Sequence, residues 1–392
     1  MITVEEALTQ VLSLAPMPVP ELVPLDQAWG RVLLEPAISR MTQPPFAASA
    51  MDGYAIRSCD IGQPLTVIGE AAAGHPYAGP AVAGMAVRIF TGAPVPDGYD
   101  RVIMQENVLR EGDLITVTDP AGGNNIRPAG DDFREGDQFA PGRRLRAADI
   151  ALLAAMNIPA VTVAARPRIA ILAGGDELVS PGTAPGPGQI ISSNDLAIAA
   201  LARQSGGEAQ ILPIARDTED SLRAGFAAAK DADLLVTIGG ASVGDHDLIG
   251  KVADGLGMQQ AFYKVAMRPG KPLMAGMLAQ TPMIGLPGNP VSAMVCGIIF
   301  MQPLIMRMQG LRHRTGLFHA RLATDLPAEG PRQHYLRATI EDGDGLPLIR
   351  PFSSQDSARL SLMADADALL VRKPGEAARK AGDIVEFLPL RG

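Results

Sequence analysis

Apolar residues follow two different periods in different parts of this chain. Val4, Ala7, Leu8, Val11 and Leu12 recur at helical spacing, Thr3 and Glu6 make a capping box, and Pro16, Pro18 and Pro20 end the run, so a helix is predicted over 3–15. Residues 21–41 hold short extended or helical pieces around Trp29. From about residue 42 the helical period disappears. Runs at 65–69, 85–90, 101–105 and 114–117 are separated by Gly, Pro and Asp turns, which predicts a small β domain over 42–139. Residues 147–157 return to helix. That helix is expected to pack on the first one, so that 1–41 and 140–165 form one discontinuous helical and extended domain with the β domain inserted into it.

Between 166 and 312 the pattern becomes strand, helix, strand. Residues 168–172, 210–214, 234–238 and 283–286 are buried strands. Asn194 is expected to cap a helix that ends at Gly206-Gly207, and 219–230 is amphipathic. Asn289 and Pro290 stand as N-cap and first residue of a long apolar helix to about Gln309. Buried strands alternating with helices predict a three-layer α/β domain on a mostly parallel sheet. After 312 the helical period is lost again. Five short strands, at 317–323, 335–340, 346–350, 368–371 and 383–388, predict a C-terminal β-barrel-like domain over 313–392. The expected fold class is therefore multidomain α/β plus β.

Composition narrows the function classes. A length of 392 residues calls for several cores, and 47% hydrophobic content supplies them. Net charge is −8 with no basic block, which argues against a nucleic-acid partner. Cys59 and Cys296 give neither a disulfide framework nor metal spacing. The first residues lack a positive n-region and an apolar h-region, and the most apolar run, 291–306, is shorter than a membrane span. A soluble, cytoplasmic protein without a membrane partner is expected.

In open parallel sheets, ligands bind beyond the carboxyl ends of the strands. The residues that follow each strand are Gly174, Gly175, Asp176 and Glu177; then Asp217; then Gly239, Gly240, Ser242, Gly244, Asp245 and Asp247; then Gly288, Asn289 and a helix start carrying Ser292. Lys264, Arg268 and Lys271 lie between the last two groups. Taken singly, the Gly-Gly-x-Ser-x-Gly run is an ordinary strand-to-helix turn and each Asp a turn former. Taken together they suit a phosphate or oxyanion ligand with a divalent cation. No Walker A run and no Gly-x-Gly-x-x-Gly occurs.

Five stretches in order carry a resemblance: 44–55 (Pro44-Pro45-Phe46 through Met51-Asp52-Gly53-Tyr54), 91–96 (Thr91-Gly92-Ala93-Pro94), 239–244, 268–272 (Arg268-Pro269-Gly270-Lys271-Pro272) and 286–292. Across the whole chain the sequence resembles the molybdopterin molybdenumtransferase (molybdenum insertase) family, which includes the C-terminal part of gephyrin. The resemblance implies insertion of molybdenum from molybdate into adenylylated molybdopterin, with Mg²⁺-dependent release of AMP, by a homodimer. It also implies the molybdopterin adenylyltransferase and acceptor molybdoenzymes as partners. Carried over by motif, Asp52, Thr91 and Asp132 would enter the cleft from the partner subunit. Glu177, Asp217, Asp247, Lys264, Arg268, Lys271 and Ser292 would come from the α/β domain, and Arg337 and Ser357 from the C-terminal domain. Glu177 and Asp247 would hold Mg²⁺ or orient water, Lys271, Ser292 and Arg337 would bind molybdate, and Gly239, Gly240, Ser242 and Gly244 would approach the pterin or phosphate.

Two positions depart from the family pattern. Asp356 stands where that pattern has Gly, and Arg268 where Lys also occurs, which replaces a point charge by a fork. Two other functions remain on the sequence alone. A molybdopterin adenylyltransferase would resemble 166–312 by itself, and the flanking β domains argue against it. A non-enzymatic molybdopterin-binding scaffold is opposed by the pocket carboxylates.

Overall fold

The computed structural model describes residues 1–239, 248–313 and 316–391. The chain divides into two compact units, one of residues 22–163 and one of 1–21 with 164–392.

In the 22–163 unit a six-stranded sheet runs in the order Arg101–Met104, Gly53–Ile56, Met85–Ile89, Leu65–Ala71, Leu114–Val117, Val108–Glu111. The pairing of Leu65–Ala71 with Met85–Ile89 is parallel and the other pairings are antiparallel. Both faces are covered. Tyr54 and Ile56 enter one core with Leu65 and Ile115, while Ala55 enters another with Val87 and Val102. Gly53 is required where it stands, because a Cβ there would run into the Ile103 carbonyl. A third core joins Leu153 of the Ala147–Ala155 helix to Val23, Leu33 and Val163. The four runs predicted for this region are strands. Gly53–Ile56 and Val108–Glu111 are additional, each only four residues long and so without a legible period.

The first helix, Val4–Ser13, has the expected capping box, with Thr3 and Glu6 bonded reciprocally. It does not share a core with the Ala147–Ala155 helix as expected. Its Val4, Ala7 and Val11 are buried with Ile198, Val291 and Ile305 in the unit of 1–21 and 164–392, because its apolar stripe covers the long C-terminal α/β helix.

The sheet of that unit runs Glu208–Ile211, Arg168–Ala173, Leu234–Ile238, Thr281–Leu286, Met274–Leu278, Met258–Tyr263. The first four strands are parallel and the last two form an antiparallel edge. Strand alternation buries both faces: Ile169 and Ile171 face the helices Asn194–Gln204 and Pro290–Met308, while Ala170 and Leu172 face Glu219–Ala228 and Leu248–Gly255. The strand expected at 210–214 starts two residues earlier and ends at Ile211, with an isolated bridge from Gly174 to Ala215 beyond it. The helix Pro290–Met308 contains a π segment, Gly297–Met301, and spans 19 residues. It is therefore long and apolar enough to cross a membrane, contrary to the expectation for 291–306. It is mostly buried and serves as the core helix of this unit.

The five predicted C-terminal strands close into a barrel in the order Gln333–Glu341, Leu348–Pro351, Phe318–Leu322, Ile384–Pro389, Ala368–Arg372 and back to Gln333–Glu341. Leu336, Ala338, Ile349 and Phe387 fill it. Tyr335, Leu369 and Val371 point the other way, into the α/β core, and Met267–Arg268 pairs in parallel with Gln333 and His334. The barrel and the α/β sheet are thus tied together at the cationic 264–272 segment.

Candidate active site

Two helices start at the carboxyl edge of the parallel strands, around a cavity of about 130 Å³. Gly174, Glu177, Ser193, Asn194, Gly239 and Gly288 line it. Glycine turns meet apolar side chains of Leu178, Ile190, Ile191 and Ile238 there. Gly239 sits at φ +91°, where a Cβ would come within 2.8 Å of the Gly174 oxygen, and its N–H donates to the Leu286 carbonyl at 3.2 Å. Asn194 is not the cap of its helix as expected. Ser193 holds that position, and the Asn194 Nδ2 donates to the Gly288 carbonyl at 2.7 Å, tying this helix start to the Gly288 turn. The helices Asn194–Gln204 and Pro290–Met308 both start at this edge and bring the positive ends of their dipoles to it, which favours an anion.

Carboxylates stand around that cavity. Glu177 lines it directly, and its backbone carbonyl accepts from Ile190 at 2.7 Å. Asp176 and Asp217 are bonded reciprocally, each carboxylate accepting the other's backbone N–H at 3.2 and 3.4 Å. Asp217 thus locks two strand ends, and neither it nor Lys264 is among the described residues that line the 130 Å³ cavity. Lys264 has an unusual left-handed backbone at φ +75°, donates its N–H to Leu273 at 3.0 Å and lays its Nζ over the Tyr263 ring at 4.9 Å. Gly240, Ser242, Gly244 and Asp247 lie outside the described residues. Among the described residues no three carboxylate, His or Cys groups cluster as a metal cage.

A second cavity of about 580 Å³ gathers the side-chain charges. Arg268, Lys271, Ser292 and Ser357, all expected at the site, line it together with Arg332 and Asp356. Ser292 is buried in the first turn of the Pro290–Met308 helix. The Asn289 side chain donates to Ser357 Oγ at 3.2 Å, and the Val291 N–H donates to the Ser357 carbonyl at 3.1 Å. Residues 288–292 therefore border both cavities: Gly288 and Pro290 face the smaller, Ser292 the larger.

Arg337, expected on the oxyanion, is placed elsewhere. Only 1% of it is exposed, its guanidinium donates to Gln355 Oε1 at 3.3 Å and to the Arg359 carbonyl at 3.1 Å, and it does not line the cavity. Burial lowers its pKa below the ordinary arginine value. The wall it stands behind is Gln355, held by Arg337 and by the Phe352 carbonyl at 3.0 Å. Gln355 and Arg268 also border a third cavity of about 760 Å³ on the barrel. There His334 bonds Glu329 at 3.1 Å. Burial holds His334 below the usual histidine pKa, helped by Arg268 and Arg332 and opposed by Glu329.

The remaining expected residues lie in the 22–163 unit. Thr91 donates both its N–H and its hydroxyl to Asp52 Oδ1 at 2.8 Å, which lowers the Asp52 pKa, with Arg88 adding a smaller attraction. Arg88 lies against the Tyr54 and Phe90 rings at 5.1 and 4.6 Å and donates to the Gly53 carbonyl at 2.9 Å, so it braces the same turn. Asp132 is exposed, and its N–H donates to the Gln43 carbonyl at 3.0 Å.

Sequence reasoning missed Arg332, Gln355 and Arg88. Arg332 and Gln355 come from turns with no pattern of their own. Arg88 could have been suspected from a cation set between strand aromatics.

Three family models match the chain: the MoeA N-terminal region (domain I and II) over residues 2–157, a probable molybdopterin binding domain over 170–307, and the MoeA C-terminal region (domain IV) over 319–390. A molybdopterin molybdenumtransferase from Nostoc sp. is 36% identical over 386 residues, covering 94% of this chain and 88% of the relative. One from Haemophilus influenzae is 39% identical over 317 residues, covering 79% and 78%. A crystal structure of a molybdopterin biosynthesis MoeA protein from Pyrococcus horikoshii superposes with a TM-score of 0.84 at 28% identity, covering 99% of each chain.

Proposed function

The chain belongs to the molybdopterin molybdenumtransferase family, enzymes of molybdenum cofactor biosynthesis, and on that premise we propose that it inserts molybdenum from molybdate into adenylylated molybdopterin with Mg²⁺-dependent release of AMP. The observation that carries the reading is the pair of cavities on either side of 288–292. One offers glycine backbone, two helix starts and Glu177, which suits a pterin phosphate. The other offers Arg268, Lys271, Arg332, Ser292 and Ser357, which suits a tetrahedral dianion. The two ligands would meet across one helix start.

In this reading Lys271, Arg268 and Arg332 neutralise molybdate while Ser292 and Ser357 orient it. Arg337 acts through Gln355 by fixing the wall of the cavity. Mg²⁺ is commonly held by one or two carboxylates plus substrate phosphates. Glu177 is a hard oxygen donor at such a place, with Asp247 its expected partner. When bound, the ion would draw charge off the phosphoanhydride that breaks as AMP leaves. Asp52, Thr91 and Asp132 would complete the cleft from the second copy of a homodimer, the Asp52 carboxylate being held ionised by Thr91. The adenylyltransferase that supplies the substrate and the molybdoenzymes that accept the product would be its partners.

The test supplies adenylylated molybdopterin, molybdate and Mg²⁺, and follows AMP release and pterin-bound molybdenum. Release of AMP that needs molybdate and stops with a chelator is expected; AMP release indifferent to molybdate would overturn the proposal. Mixing inactive Asp52→Ala and Lys271→Met proteins should restore part of the activity if each cleft draws on two subunits, and no restoration would remove that arrangement.

A further inference from the structure

The oxyanion cavity contains one group of the wrong sign. Arg268, Lys271 and Arg332 are joined on its wall by the carboxylate of Asp356. One carboxylate oxygen is committed, since Asp356 Oδ1 accepts the Ala358 N–H at 2.9 Å and closes the turn that presents Ser357. Ser357 is held in place by Asn289 and by the Val291 N–H. The turn is therefore anchored, and Asp356 is exposed at the cavity rather than folded away from it. Only Oδ1 is engaged by that turn bond, so a second acceptor oxygen remains on a residue that lines this cationic cavity.

We propose that Asp356 is a specificity-determining residue of this cavity, which weakens its hold on fully deprotonated dianions relative to oxyanions that carry a proton. This rests on reading the cavity as the oxyanion subsite. The physics has two parts. A carboxylate repels a dianion, and near a solvent-facing pocket that repulsion is worth about tenfold in affinity. A carboxylate is also acceptor-only, so it can bond an oxyanion only through a proton that the oxyanion brings. Molybdate at neutral pH brings none, whereas phosphate does. Asp356 thus acts as a brake, which keeps the three cations from trapping molybdate that has to move on to its acceptor.

The test measures dissociation constants of molybdate and inorganic phosphate for the full chain by calorimetric titration at low ionic strength, in wild type, Asp356→Asn and Asp356→Gly. Asn keeps the Oδ1 acceptor of the turn and replaces Oδ2 by a donor, whereas Gly removes both. In Asp356→Asn, molybdate is expected to bind about tenfold tighter, and the gain should shrink as salt is added. Phosphate, which loses an acceptor as it gains a donor, is expected to change by less than about threefold. Asp356→Gly should also tighten molybdate, but less, because the turn loosens. Molybdate binding that is unchanged or weaker in Asp356→Asn, or an equal gain for both anions, overturns the proposal. Molybdate that binds to none of the three proteins overturns it together with the reading of the cavity. Wild-type binding that Asp356→Asn leaves unchanged overturns the proposal alone.

Discussion

The two cavities beside the Pro290–Met308 helix are built in opposite ways. The smaller one depends on backbone at Gly239, whose left-handed conformation and close approach to the Gly174 oxygen exclude a side chain. The larger one is made of side-chain ends delivered by segments far apart in the chain: 268–272, 292, 332 and 355–357. A backbone site cannot change without disturbing the fold that makes it. A side-chain site can lose a member and keep its walls. Stability and ligand affinity should therefore separate cleanly between the two.

The strongest way to break that contrast is Gly239→Val. The Cβ would meet the Gly174 oxygen from a left-handed backbone, so a stability loss of roughly 2–4 kcal/mol in urea unfolding and loss of turnover are expected together. A stable Gly239→Val protein would show that the turn can relax. Next come Lys271→Met and Arg332→Met. Each should weaken molybdate binding about tenfold or more. Because both side chains are only half-buried, urea stability should move by less than about 0.5 kcal/mol. A cation whose removal leaves affinity untouched does not face the anion.

Asn289→Ala probes the link between the cavities. It removes the bond to Ser357, and a loss of about 1 kcal/mol is expected in the same unfolding assay. No loss would mean that the Val291 N–H alone holds the turn.

The smallest effect concerns pH. His334 has a depressed pKa in the folded protein through burial, with Arg268 and Arg332 adding to it and Glu329 opposing. The unfolded chain therefore binds this proton more readily. Stability should fall as pH drops below about 6.5, the unfolded value, until the folded value is passed. His334→Gln should flatten that part of the stability–pH curve. An unchanged slope would place the titration elsewhere, for instance at His313, which is also depressed by burial.

Much of this was legible in the residues. The closed barrel strands, the Leu234–Ile238 strand and the Thr3–Glu6 cap all follow from period and capping chemistry, which are local. The antiparallel edge strands Met258–Tyr263 and Met274–Leu278 were not predicted: they flank the cationic segment, and their Gln, Gly and Met content gives no clean alternation. Arg337 was misjudged because an arginine at a motif position looks the same whether it meets a ligand or braces a glutamine. Arg332 was missed because a turn residue carries no period at all.

By itself, then, the sequence determined the domain classes, the glycine turns at the strand ends and the kinds of charge available, since each depends on residues a few positions apart. Tertiary structure decided which of those charges meet. It set Arg332 and Asp356 on the same wall as Lys271, turned Arg337 inward behind Gln355, and placed Val4–Ser13 against the α/β core. Those pairings bring together positions tens to hundreds of residues apart, and only the packing of one element on another specifies them.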